Sequence, residues 1–132
     1  KNRYGQLISY YRQYIDKEKI DELTIGKYVS QDIIDIVKEF LDNSSQKLKR
    51  IFTQDVFLIL SLHLTKIINN NQNEYINFDL NQVINKYQKE YILSLKLIEN
   101  LEKRYKISIP LGEAINVVLI LLLNQLKINQ YY

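Results

Sequence analysis

The stretch from Thr53 to Asn69, TQDVFLILSLHLTKIIN, is apolar around most of the circumference that an α-helix would give it. One face of this helix would carry the only histidine of the chain among apolar side chains: Val56, Ile59, Leu60, His63 and Ile67. A helix that is apolar on most sides has to be covered by other helices. The stretch therefore predicts a helical core with a histidine facing it.

Apolar residues at helical spacing recur on both sides of this stretch. They predict five helices, which cover residues 4–15, 30–48, 53–69, 80–105 and 110–123. The second helix has two alternative ends, at residues 43–45 or at Leu48, and the fourth is expected to kink between residues 86 and 88. Asp79 is predicted to begin the fourth helix in a capping box.

The chain has three glycines and one proline, and no segment alternates apolar and polar residues as a half-buried strand does. The sequence therefore predicts an all-α fold, a compact bundle of about five helices. Its length of 132 residues indicates a single domain over residues 1–132. Because the chain lacks methionine and opens inside a predicted helix, we expect a fragment of a longer protein. Residues 1–25 would then be an extension or a linker from a preceding domain.

The composition argues against several classes of function. With no cysteine and one histidine, disulfides are excluded and a zinc site lacks ligands. The 18 basic and 15 acidic residues are scattered, so we expect DNA contacts only through other domains of the full protein. The longest apolar run, Val117–Leu123, is too short to cross a bilayer, and no membrane association is expected.

The sequence contains no glycine-rich phosphate loop, no arguable Ser-His-Asp order and no carboxylate pair on an apolar face. We therefore expect no enzyme activity, no catalytic residues, no metal and no cofactor. Glu90, Glu99 and Glu102 are predicted to be solvated charges on the polar side of the fourth helix. Tyrosines at core positions, such as Tyr11, are predicted to pack rather than to stack on bases. Either the core or a second subunit would cover the apolar last helix.

Position alone favours a packed core histidine at His63, although a neutral imidazole is also a good nucleophile for phosphoryl groups. Three segments bear on this choice: IVKEFL followed by LKRIF and VFLILSLHL within residues 36–64, INKYQKEY at 84–91, and ISIPLGE at 107–113. In this order they resemble the signatures of the PTS regulation domains, the PRD family. The resemblance covers residues 28–123.

The resemblance implies a five-helix bundle that commonly dimerises, in cytoplasmic transcriptional regulators of sugar operons. In that family the phosphocarrier protein HPr or a sugar-specific enzyme II component phosphorylates a histidine on the middle helix. The phosphate reports sugar supply and alters dimerisation or the activity of neighbouring domains. His63 falls on that position, and the segment LSLHL is closer to the sigma-54-dependent activators than to the antiterminators.

Lys66 is the nearest cation in sequence that could pair with a phosphate on His63, and Arg50 and Arg104 are candidates if the fold brings them close. The chain departs from the family at three positions. Ile120 replaces a second histidine, Asn70 replaces an arginine, and residue 88 is glutamine where the family has proline. The resemblance therefore implies one phosphorylation site at most.

Two functions stay open from the sequence. One is a sensor of sugar supply that is phosphorylated on His63, and the other is a degenerate helical dimerisation module in which His63 is only packed. An exposed ring nitrogen beside a basic residue would favour the sensor. Full burial with both ring nitrogens hydrogen-bonded would favour the dimerisation module.

Overall fold

The computed structural model describes residues 3–70 and 80–123, which contain six α-helices, one short 3₁₀ helix and no strand. In chain order these are α1 (Arg3–Glu18), the 3₁₀ helix Ile25–Lys27, α2 (Gln31–Leu48), α3 (Gln54–Asn70), α4 (Leu80–Lys86), α5 (Gln88–Tyr105) and α6 (Gly112–Leu121). The predicted all-α bundle is confirmed. The predicted cap Asp79 lies outside the described residues.

The second predicted helix begins where its capping residue places it. The Ser30 hydroxyl accepts a hydrogen bond from the Ile33 amide, which satisfies one of the N–H groups left open in the first turn of α2. The helix continues to Leu48, so the shorter alternative is wrong. Ser44 is buried within α2, and Leu48 packs against the core, which favours the longer helix. Lys49 then ends α2 in the left-handed conformation, with φ 54°.

The fourth predicted helix is interrupted at the expected place. α4 and α5 are separated by Tyr87, whose φ of −122° and ψ of 48° are not helical. The kink predicted between residues 86 and 88 is therefore confirmed, and it is sharp enough to make two helices. Tyr87 packs against a cluster of Val83 on α4 with Ile115 and Val118 on α6, so the break turns α4 onto the last helix.

The last helix lies at the centre of the core. Every residue from Glu113 to Leu123 is buried, and α6 contacts α1, α3 and α5. Pro110 lies just before the helix rather than in its first turn, and its carbonyl accepts a hydrogen bond of 3.0 Å from the Glu113 amide. This chain itself therefore covers the apolar surface of α6.

α1 lies across α3 and α6 and is less deeply buried than they are. Among the side chains of residues 5–18, those of Ile8 and Tyr11 are buried, and Leu7, Tyr14 and Ile15 are half-buried. A turn and the 3₁₀ helix connect α1 to α2. No helix within residues 3–70 and 80–123 combines the length and the apolarity that crossing a membrane demands.

Candidate functional site: a buried histidine between three helices

His63 lies in the middle of α3 and is 4% exposed. Its Nδ1 is 2.7 Å from the Tyr11 hydroxyl on α1, and its Nε2 is 2.8 Å from Glu113 Oε1 on α6. The Asn116 side-chain amide donates a further hydrogen bond of 2.9 Å to the same Glu113 oxygen. These four side chains form a polar cluster, which we call the His63 cluster, inside an apolar core. His63 is therefore buried with both ring nitrogens hydrogen-bonded, which is the arrangement that favours a packed histidine.

The partners determine which ring nitrogen carries the proton when His63 is neutral. A neutral imidazole has one donor nitrogen and one acceptor nitrogen. Glu113 lies in the first turn of α6, where the helix dipole favours the ionised carboxylate, and a carboxylate accepts hydrogen bonds only. Nε2 therefore donates to Glu113. Nδ1 is left with its lone pair, and it accepts the hydrogen bond that the Tyr11 hydroxyl donates.

The Tyr11 hydroxyl is well suited to stay protonated. Burial raises its pKa far above the ordinary value, and the nearby Glu113 charge raises it further. The Tyr11 ring is 2% exposed and meets the imidazole edge to face, with ring centroids 5.6 Å apart. Tyr11 therefore covers the nucleophilic nitrogen of His63 both with its hydroxyl and with its ring.

Glu113 and Asn116 are the members of the His63 cluster that were not predicted from the sequence. Tyr11 was predicted as a core residue, whereas Glu113 entered only as the last residue of the segment ISIPLGE at 107–113. The structure buries Glu113 to 2% exposure against the histidine. A carboxylate in the middle of an otherwise apolar segment was the available signal, since buried charges require a partner.

The three predicted phosphate-pairing residues lie in different places. Lys66 is exposed on α3, with its amine 5.2 Å from the centroid of the Tyr10 ring on α1. Beside it, a surface pocket of about 250 Å³ is lined in part by Tyr11 and Lys66. The structure thus places one predicted cation and the side chain that covers His63 at the same opening.

The two arginines are hydrogen-bonded to other carboxylates. Arg50 donates to Glu90 on α5 at 2.9 Å, and Arg104 on α5 binds Asp32 at the start of α2. The prediction of a solvated Glu90 is wrong. Glu90 is 7% exposed, because the break at Tyr87 turns the start of α5 toward Arg50 after α2. Glu99 is exposed as predicted, and Glu102 accepts a hydrogen bond from the Ile109 amide.

Within the described part of the chain, no three His, Cys, Asp or Glu side chains are grouped as a metal site would need. The His63 cluster has one nitrogen ligand and one carboxylate, and its other members are a hydroxyl and an amide. The cluster therefore offers hydrogen bonding and a nucleophilic nitrogen rather than metal coordination.

The comparison with known families identifies the class to which this helical domain belongs. Residues 31–124 match the family model described as the PRD domain. The match covers most of the chain, which therefore belongs to the PRD family, whose members serve in PTS-linked control of transcription. It includes α2 to α6 and begins after α1. Neither the comparison with curated proteins nor that with solved structures gave a significant match.

Proposed function

We propose that this chain is the sugar-sensing domain of a cytoplasmic transcriptional regulator and that His63 Nδ1 is its phosphoryl acceptor. The observation that supports the proposal best is the arrangement around the ring: Glu113 holds Nε2–H, so the lone pair is on Nδ1. A carboxylate that binds the far nitrogen orients the imidazole and stabilises the positive charge that forms when the other nitrogen attacks. The resemblance of the sequence to the family also implies that His63 falls on the position of the phosphorylated histidine.

The proposed donors are HPr or a sugar-specific enzyme II component. The Nδ1 lone pair attacks the phosphorus, the bond between phosphorus and the donor atom breaks, and its electron pair stays on the donor. Nε2 keeps its proton against Glu113 throughout. The phosphoryl group then carries about two negative charges beside a ring that has become positive, so His63 gains about one net negative charge, and the exposed phosphoryl charge either attracts a cation or disrupts an apolar contact. Lys66 is the proposed cation.

The second candidate function is the helical dimerisation module in which His63 is only packed, and the burial of His63 favours it. His63 is 4% exposed and both of its nitrogens have partners, which is what a packed core histidine needs. Under this alternative the His63 cluster fixes the packing of α1, α3 and α6, and the domain acts by dimerisation alone. The two candidates differ in whether any donor can transfer phosphate to this ring.

The first prediction concerns this transfer. The chain is incubated with enzyme I, HPr and phosphoenolpyruvate, with and without enzyme II components, and its intact mass is measured. We expect an acid-labile gain of one phosphoryl group in the wild type and none in His63→Ala. His63→Gln is the matched control, because its amide retains hydrogen bonding inside the core, and circular dichroism verifies the fold of both variants.

A mass gain that persists in both folded variants would place the phosphate elsewhere and overturn the assignment. If no donor phosphorylates the wild type, the result would support the helical dimerisation module. Because the family match is common to both types, the sigma-54-dependent activator type stays a prediction, as do the homodimer and the DNA contacts through other domains.

A further inference from the structure

We propose that α1 is a cap on His63, so that the ring accepts a phosphoryl group only when α1 has left α3, and the phosphorylated ring in turn keeps α1 undocked. This inference rests on the proposed function and adds to it the element that controls access to the site. It is carried by the position of Tyr11, by the shallow burial of α1 and by the limits of the family match.

Docked Tyr11 leaves no space for a phosphoryl group on His63. The Tyr11 hydroxyl lies 2.7 Å from Nδ1, and its ring is 2% exposed. A phosphorus atom bonded to Nδ1, with its three oxygens, would need the space that this hydroxyl and part of the ring occupy. Attack through Nε2 would be even less favourable, because it would place the phosphoryl group against the carboxylate of Glu113 in the buried helix α6. The phosphorylated ring and docked Tyr11 therefore exclude each other.

Of the three helices around His63, α1 has the weakest attachment to the core. Its buried side chains among residues 5–18 are Ile8 and Tyr11, whereas α6 is buried throughout. One of its polar contacts with α3 is the ion pair between Arg12 and Asp55, in which the guanidinium nitrogen and the carboxylate oxygen are 3.9 Å apart. Both side chains are exposed, and exposed ion pairs contribute little to stability. Few buried contacts and an exposed polar surface are the features of segments that open locally.

The position of α1 in the chain also separates it from the other helices. The family match begins at residue 31, so it includes α2 to α6 and leaves α1 before it. Residues 19–30 connect the cap to the domain, and Ile20, Ile25 and Val29 among them are buried, so this segment can stay packed when α1 moves. Since undocking α1 frees the opening lined by Tyr11 and Lys66, the same motion exposes Nδ1 and releases the Lys66 amine from the Tyr10 ring.

The second prediction uses Tyr11→Phe, which removes the hydroxyl but keeps the ring. In the capped state this variant leaves the buried Nδ1 without its donor, so the uncapped fraction increases. We expect its initial rate of phosphorylation by the relay to be roughly tenfold higher than that of the wild type. Tyr14→Phe, on the same helix but without contact to His63, is the control and should label at the wild-type rate.

A reversible crosslink gives the opposite perturbation. The chain contains no cysteine, so Arg12→Cys/Asp55→Cys supplies one thiol on α1 and one on α3, both outside the His63 cluster. A cleavable thiol crosslinker across this pair should reduce phosphorylation at least tenfold, and reduction of the linker should restore it.

The outcomes separate the cap from the proposed function. If the wild type is phosphorylated on His63 but neither Tyr11→Phe nor the crosslink changes the rate, the cap is wrong and the proposed function stands. If Tyr11→Phe and the uncrosslinked double variant also fail to label with every donor, the proposed function itself is wrong, because an opened His63 does not react either.

Discussion

At the scale of single residues, the molecule is distinguished by polar side chains placed where an apolar core would be expected. His63, Tyr11, Glu113 and Asn116 lie on three helices, and the side chains of all four are buried. Buried polar groups are costly unless they are hydrogen-bonded, and here each of the four has at least one partner within 2.9 Å. These hydrogen bonds offset much of the cost of burying the four side chains, although Asn116 Oδ1 has no hydrogen-bond partner.

The third prediction tests the charge of this cluster. Glu113→Gln keeps the shape of the side chain but replaces a charge-assisted hydrogen bond from Nε2 with a neutral one. We expect the free energy of unfolding to decrease by about 1–2 kcal/mol, measured by urea denaturation near neutral pH. Glu99→Gln, an exposed change on α5, is the control and should stay within about 0.5 kcal/mol of the wild type. Equal effects of the two changes would contradict the role given to Glu113.

At the scale of helices, the sequence was informative wherever the signal is local. The periodicity of residues 53–69 predicted α3 and the core-facing position of His63, and the predicted start of the second helix at residue 30 lies next to the observed start at Gln31. The pairing of His63 with Tyr11 and Glu113 could not be predicted in the same way. Those partners are 52 and 50 residues away, and only the packing of α1 and α6 on α3 determines that they meet. Burial of Glu90 depended likewise on the break at Tyr87.

The fourth prediction concerns the link between α2 and α5. Hydrogen bonds from Arg104 and Tyr105 hold the pKa of the Asp32 carboxyl below its ordinary value. A carboxyl whose pKa is lowered by folding contributes stability above its unfolded pKa, close to 3.8, and loses it as the pH falls through the lower folded value. Asp32→Asn should therefore destabilise the domain near neutral pH and cease to do so in strong acid.

The measurement is the free energy of unfolding of the wild type and of Asp32→Asn from neutral pH to strong acid. The gap between them should be constant down to about pH 4–5 and should close below that range. Asp16→Asn, on the exposed side of α1, controls for the general effect of removing a carboxylate. A gap that is independent of pH would contradict an ionic link between the two helices.

At the scale of the whole molecule, the structure consists of α2 to α6, which the family model matches, and of α1, which precedes the match and lies over His63. α6 is covered within the chain, so any homodimer would have to use another surface, and the homodimer stays a prediction. If α1 connects to a preceding domain, its docking and the phosphorylation of His63 are thermodynamically coupled, and each must oppose the other to the same extent. Under the proposed function, the position of α1 would then depend on sugar supply.

The fifth prediction, and the most direct test of this account, is amide hydrogen exchange of the full chain before and after complete phosphorylation by the relay. Phosphorylated His63 should abolish the protection of α1 while α3 and α6 stay protected, because only the cap has to move. Unphosphorylated His63→Gln mixed with the same relay proteins is the control and should retain protected α1. An α1 that stays protected on a chain carrying phosphate on His63 would contradict the account.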